Sequence, residues 1–456
     1  MSSGVEVTKT HAGQVWRLLP VAGLVAAAVM CLSVGIEAGS RGPNPIYSMD
    51  RTGVLATYRT TGRIDFSNPY FQVLGTNGRS CNSCHSAEDA WSVAPGHLKQ
   101  RFHISQGTDP VFRPVDGAVC PSADVSTVGA RWSAYRLLLS KGLFRISMPV
   151  PGNAEFSITG IQDPYNCPQT TATKPAEYRR PLPATNLKFL SAVMWDGRET
   201  VPGTIPGKSI NLPASLTSQA LDATLGHGQA STPPTAEQLA QIVDFESGNF
   251  TAQVADIRTG ILTAAGGMGG PKILSQVPFY IGINDALGGD PTGAKFDPNV
   301  FTLYERWQDS ESAYRRAVAR GEKLFNSYPI AITGVGGLND ALGETTIPGT
   351  CSTCHDAPGA GDHSFAVALN IGTTDYPAPG LDISGLPVYT VQCSNGNVMQ
   401  VTDLGRAMIT GKCADVGKVK GPILRGLAGR APYFHNGGAA TLMDVINFYN
   451  QHFAMG

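Results

Sequence analysis

Between Thr441 and Phe453 the apolar residues Leu442, Val445, Ile446, Tyr449 and Phe453 share one side of a helix turning about 100° per residue, while Asp444, Asn447, Asn450 and Gln451 fall away from it. Thr441 is placed to cap that helix. The pattern turns Tyr449 inward and leaves Met443 about 100° off the apolar face. Ser310 to Asn326 reads as a second helix, free of proline, with Tyr314, Val318 and Phe325 near one face. Glu237 to Phe245 reads as a short third. Residues 104–183 are rich in Pro, Gly and Ser and break every period, which suggests an insertion. The run Gly266-Gly267-Met268-Gly269-Gly270 lacks the strand–helix setting of a nucleotide-binding loop and is read as a plain loop.

Leu18 to Ile36 is almost wholly apolar and follows Lys9 and Arg17, the pattern of an export signal. Cleavage after Ala38 is favoured by the small residues and the early proline; an uncleaved anchor is the rival, because the run is nearly long enough to span a bilayer. No second run of that length follows, so the expectation is a periplasmic protein, either free or held by its N-terminus. Lys+Arg is 34 against 35 Asp+Glu, with no basic stripe, which excludes nucleic acid as an expected partner. Gly 53 and Pro 32 in 456 residues predict short elements joined by long loops.

Cys31 lies in the apolar segment. Four more of the nine cysteines form two CxxCH motifs, Cys81-Asn82-Ser83-Cys84-His85 and Cys351-Ser352-Thr353-Cys354-His355, 270 residues apart. In a c-type haem site the two thiols add to the haem vinyl groups and the histidine reaches the iron. A zinc or redox CxxC is the competing reading; export, the histidine and the duplication favour two covalently bound haems. Cys120, Cys167, Cys393 and Cys413 remain, and pairing by proximity gives Cys120–Cys167 and Cys393–Cys413.

The segment Gly421-Pro422-Ile423-Leu424-Arg425-Gly426-Leu427-Ala428-Gly429-Arg430-Ala431-Pro432-Tyr433-Phe434-His435-Asn436-Gly437-Gly438 and the segment Met194-Trp195-Asp196-Gly197-Arg198-Glu199, with both CxxCH motifs in order, resemble the bacterial di-haem cytochrome c peroxidase and MauG superfamily. The resemblance spans roughly residues 65 to 453. It implies a mainly α protein of two cytochrome c-like haem domains, at 39–305 with the insertion at about 104–183, and at 306–456. It implies that Tyr449, 14 residues after His435, is the sixth ligand of the second haem, as in MauG-type members, and that Trp195 couples the haems. A core tyrosine and a core tryptophan are the plainer readings.

For peroxide activation the family uses a glutamine and a glutamate. Gln219 resembles the first; Gln229 stands where the glutamate is expected, with His227 beside it. His227 is read as an acid/base, as an iron ligand, or as part of an exposed loop. His97, His103 and, more weakly, Met148 are placed to close the first haem in the oxidised state. The family's calcium would take carbonyls at Arg430 and Pro432, but its asparagine ligand is replaced by Arg180, which leaves calcium in doubt. The expected activity is reduction of hydrogen peroxide, or its use to oxidise a substrate, with electrons from a small donor protein or from that substrate. A di-haem electron carrier and a di-haem oxygenase are the alternatives.

Overall fold

In the computed structural model residues 41–204 and 209–453 are described, so the proposed export segment and Cys31 lie outside the described residues. Among the described residues no helix is long and apolar enough to cross a membrane.

The expected mainly α architecture of two cytochrome c-like domains is overturned. Among the described residues helices make up 29% and strands 17%, with ten helices and several small sheets. The physical reason lies in segments such as Val388–Cys393 and Val398–Val401, whose β-branched and aromatic residues alternate and pair as an antiparallel hairpin. A four-stranded antiparallel sheet joins Ile46–Met49, Gly53–Arg59, Asn249–Asp256 and Gly260–Ile261 in that order.

Five helices are eight residues or longer among the described residues: α1 (Pro95–Ser105), α2 (Leu212–Gly226), α3 (Ala236–Ser247), α4 (Ala313–Ser327) and α5 (Leu442–His452). Their starts follow local chemistry. Asn211, Thr235, Ser312 and Thr441 each accept a backbone N–H of the first turn, and Thr441 and Asp444 form a reciprocal capping box. The second and third predicted helices are thus α4 and α3, and the glycine run is a loop that enters the short helix Pro271–Gln276.

The buried arc of α5 differs from the expected one. Leu442 and Ile446 are 46% and 53% exposed, whereas Phe448 is 2% exposed. The ring of Phe448 packs on Phe434, Tyr449 and His452, with centroids 5.1, 5.7 and 5.7 Å apart. Burying aromatic rings outweighs burying Leu442 and Ile446, and rotates the helix about its axis.

The 104–183 segment is ordered and welded to the rest. It carries the disulfide Cys120–Cys167. Its strand Phe156–Gln162 pairs antiparallel with Val388–Cys393, and so completes a three-stranded sheet with a segment far along the chain. The second disulfide, Cys393–Cys413, closes onto that sheet. Beside it, Arg179 at the end of the buried strand Ala176–Arg179 bonds Glu177, Asp196 and both oxygens of Asp403 at 2.5–2.8 Å. All four side chains are at most 3% exposed. One guanidinium therefore ties the early strand, the Trp195 turn and the C-terminal half together.

Candidate functional site

The two CxxCH motifs are built alike. Each opens on a 3-10 turn, Cys81–Ser83 and Cys351–Thr353, closed by a capping box of Ser80 with Ser83 and of Thr350 with Thr353. In each, the histidine N–H donates to the carbonyl of the first cysteine, at 3.0 and 3.1 Å. Nδ1 of His85 then meets the Trp91 carbonyl at 3.0 Å, and Nδ1 of His355 meets the Gly361 carbonyl at 2.7 Å, each six residues on. A carbonyl only accepts, so Nδ1 carries the proton in both rings and Nε2 is left with a lone pair, the form that binds a metal. Burial lowers both imidazole pKa values, that of His85 to about 4, which keeps the rings neutral. All four motif cysteines are free thiols.

A cleft with a cavity volume of about 200 Å³ opens over the first motif. Cys81, Cys84 and His85 lie in its wall together with Trp195, Gln219 and His227. Helix α2 explains the last two: Leu216, Gln219, Ala220, Ala223 and His227 recur at helical spacing and turn one face to the cleft. His227 caps the helix end and is held by Asp116, whose Oδ2 takes the Nδ1 proton at 2.5 Å. Asp116 is bound in turn by Arg79, itself anchored on the carbonyls of Pro110 and Val111. Burial raises the Asp116 carboxyl, but His227 and Arg79 more than offset it, and the group stays ionised. The arrangement can orient an imidazole whose Nε2 has no hydrogen-bond partner among the described residues.

Gln229 does not enter the cleft; it is exposed and accepts from Asn77. Nor do His97, His103 and Met148 line it. His97 is bonded to Asp89 at 2.5 Å, His103 packs on Trp132, and Met148 packs beside the three-stranded sheet. The backbone turn that places His227 depends on a glycine. A Cβ on Gly75 would lie 1.8 Å from the carbonyl oxygen of Gly228. Gly75→Ala is expected to push that turn away and cost about 1–3 kcal/mol, read as a lower urea midpoint at unchanged slope.

Trp195 donates Nε1–H to the Arg180 carbonyl at 2.8 Å and accepts the Lys420 N–H at 2.9 Å, so its position is fixed from both halves of the chain. Its ring lies edge-on to buried His435, 6.1 Å away. The buried guanidinium of Arg180 donates to the carbonyls of Lys141, Val93 and Arg430. The Arg430 carbonyl, considered above for calcium, thus already faces a fixed cation.

Around the second motif, Tyr449 packs with Cys351, Cys354, Ile330, Ile332 and Phe453 in one cluster. Its ring stacks on Phe453 with centroids 6.0 Å apart. The hydroxyl has no hydrogen-bond partner among the described residues, although burial, and then Cys354 and Cys351, raise its pKa. A buried tyrosine hydroxyl ordinarily finds a partner.

Asp116 was not marked by any sequence signal; its role depends on a pairing across 111 residues. The same holds for Arg179 and for Lys420 in the cleft wall, whereas Arg198 lies in the segment that carries the family resemblance.

No protein-family model matches the chain, and no solved structure matches it. Among characterised proteins, it is similar to cytochrome-c peroxidase IdrP2 of Denitromonas iodatirespirans, with 34% identity over 182 residues, 39% of this chain and 47% of that protein. Cytochrome-c peroxidase IdrP1 of the same organism is 24% identical over 334 residues, 66% of this chain and 79% of that protein. An IdrP2 from Pseudomonas sp. (strain SCT) is 26% identical over 181 residues, 34% of this chain and 45% of that protein. The chain thus spans about half the length of both IdrP2 relatives. All three are named cytochrome-c peroxidase, and the similarity is distant.

Proposed function

We propose that this is an exported oxidoreductase with two covalent c-type haems that reduces hydrogen peroxide, or uses it to oxidise a substrate, at the first motif. The observation that carries the reading is the cleft in which Cys81, Cys84 and His85 meet Trp195, Gln219 and the Asp116–His227 pair. The fit supports a haem: two thiols in no disulfide, a neutral imidazole with its Nδ1 tied to a carbonyl, and Arg198 and Lys420 in the cleft wall to hold carboxylates. The second group would be held by Cys351, Cys354 and His355, with the unpartnered hydroxyl of Tyr449 as a further ligand. The names of the relatives support haem, peroxide and a redox partner.

A haem held by Cys81, Cys84 and His85 would supply the electrons for O–O cleavage, and one held by Cys351, Cys354 and His355 would supply the relay. The chain's own part is proton handling and placement. Nε2 of His227 takes the proton from the inner peroxide oxygen and returns it to the outer one, while Asp116 holds the ring. Gln219 hydrogen-bonds the bound oxygens from α2, and Trp195 bridges the two redox centres.

The test is EPR of the ferric holoprotein beside steady-state peroxide consumption with a reduced cytochrome or copper protein. One high-spin and one low-spin signal, with turnover, are expected. Tyr449→Phe should change only the signal of the second iron. Two low-spin signals without turnover, before and after half-reduction, would assign an electron carrier instead.

A further inference from the structure

The cleft holds a carboxyl that the sequence comparison with Gln229 did not suggest. Helix α3 packs with Leu239, Ile242 and Phe245 against the first motif, and Glu246 falls on the same buried seam, 6% exposed. An aliphatic residue would serve packing better at that position. Glu246 lies in the cleft wall, and its side chain makes no hydrogen bond and no ion pair among the described residues. Arg59, the cation that reaches this end of α3, is bonded to Asp244 at 2.5 Å. A buried carboxyl with no protein partner is kept where a ligand supplies one.

We infer that Glu246 is a catalytic acid of the cleft, supplying a proton to an oxygen of bound peroxide. The inference rests on the peroxide reading above and adds a residue to it. Reduction of one H₂O₂ to two waters consumes two electrons and two protons. The O–O bond breaks, and the outer oxygen leaves as water with both peroxide hydrogens, one of them moved by His227. The inner oxygen takes two electrons from the reduced donor protein, one proton from the Glu246 carboxyl and one from solvent; the Glu246 carboxylate is then reprotonated from solvent.

Burial raises the Glu246 carboxyl to about 8, so the acid form is held at neutral pH. The titratable groups that sense its charge are Tyr70 and Cys81, neither of which is a cation able to pull the proton off. Thioether formation would make Cys81 electrically silent.

The experiment compares the holoprotein with Glu246→Gln and Glu246→Asp. Infrared difference spectra across pH 6 to 10 are expected to show the carbonyl band of a protonated carboxylic acid that is lost in Glu246→Gln. Peroxide turnover with reduced donor should fall on the order of a hundredfold or more in Glu246→Gln and recover in part in Glu246→Asp. Haem content and circular dichroism should stay unchanged, since glutamine has the same shape. Turnover in Glu246→Gln equal to the parent's, or a band untouched by the substitution, would overturn the role of Glu246 while leaving the peroxide reading standing. A parent protein that consumes no peroxide would overturn the peroxide reading and, with it, this role.

Discussion

Replacing Cys81 and Cys84 together by serine is expected to halve the haem bound per chain and to drop peroxide consumption to the uncatalysed rate. Replacing Cys351 and Cys354 instead is expected to halve the haem as well, but to leave a protein that still reacts with one equivalent of peroxide and fails to turn over. The asymmetry follows from the surroundings of two motifs that are locally the same. Both hold a neutral imidazole with Nδ1 tied to a carbonyl six residues on. Only the first opens into the cleft with His227, Asp116 and Gln219. The measurement is the haem-to-protein ratio of denatured protein, where a covalent haem stays on the chain, followed by single- and multiple-turnover kinetics. If both double variants kept two covalent haems, the attachment sites would be elsewhere.

The second large effect concerns Arg179. Arg179→Met is expected to destabilise the fold by about 3–5 kcal/mol at neutral pH, because Glu177 and Asp403 would lose their cation in a dry interior and Asp196 would keep only Arg198. In the native protein burial raises the Asp403 carboxyl, but Arg179 more than offsets this and holds it at about 2. Asp196 is lowered on the same balance, while burial dominates at Glu177 and raises it. For the two lowered groups, stability is present above the unfolded carboxylate range and is lost as pH falls through their folded values. Without Arg179, Asp196 keeps Arg198 at 2.9 Å, while the Glu177 and Asp403 carboxyls rise above their unfolded values. Their contribution is then present below the unfolded range near pH 4 and is lost as pH rises. The deficit of the variant should therefore grow from about pH 4 to 7, so that the variant alone is more stable at pH 5 than at 7. Urea midpoints at the two pH values check this; a deficit independent of pH would mean that the cost is lost packing alone.

What could be read from the sequence was local chemistry. The CxxCH motifs, the cap at Thr441 and, by proximity, the disulfides Cys120–Cys167 and Cys393–Cys413 each involve residues near one another in the chain. The sheets could not be read that way. Short alternating runs such as Val398–Val401 carry a weak signal, and Phe156–Gln162 finds its partner only across the molecule. The helical period turned Tyr449 inward, and the resemblance put it at the second motif, yet the period missed Phe448, because one period cannot say which of two adjacent arcs the aromatic neighbours will cover. The partners that complete the cleft, Asp116 for His227 and Glu246 for the apolar wall, lie on other elements and carry no motif of their own.

The pairing of Phe156–Gln162 with Val388–Cys393 has a consequence for how the protein can be taken apart. A fragment that stops before residue 388 would leave Phe156–Gln162 as an open edge strand, with inward-facing Phe156 and Ile158 stripped of Tyr389 and Val391. A fragment that starts after residue 162 would leave the hairpin with the same vacancy on its other side. The first-motif half and the second-motif half are therefore not autonomous modules that evolution or an engineer could exchange one at a time. Each alone would expose an apolar strand edge that the other half covers.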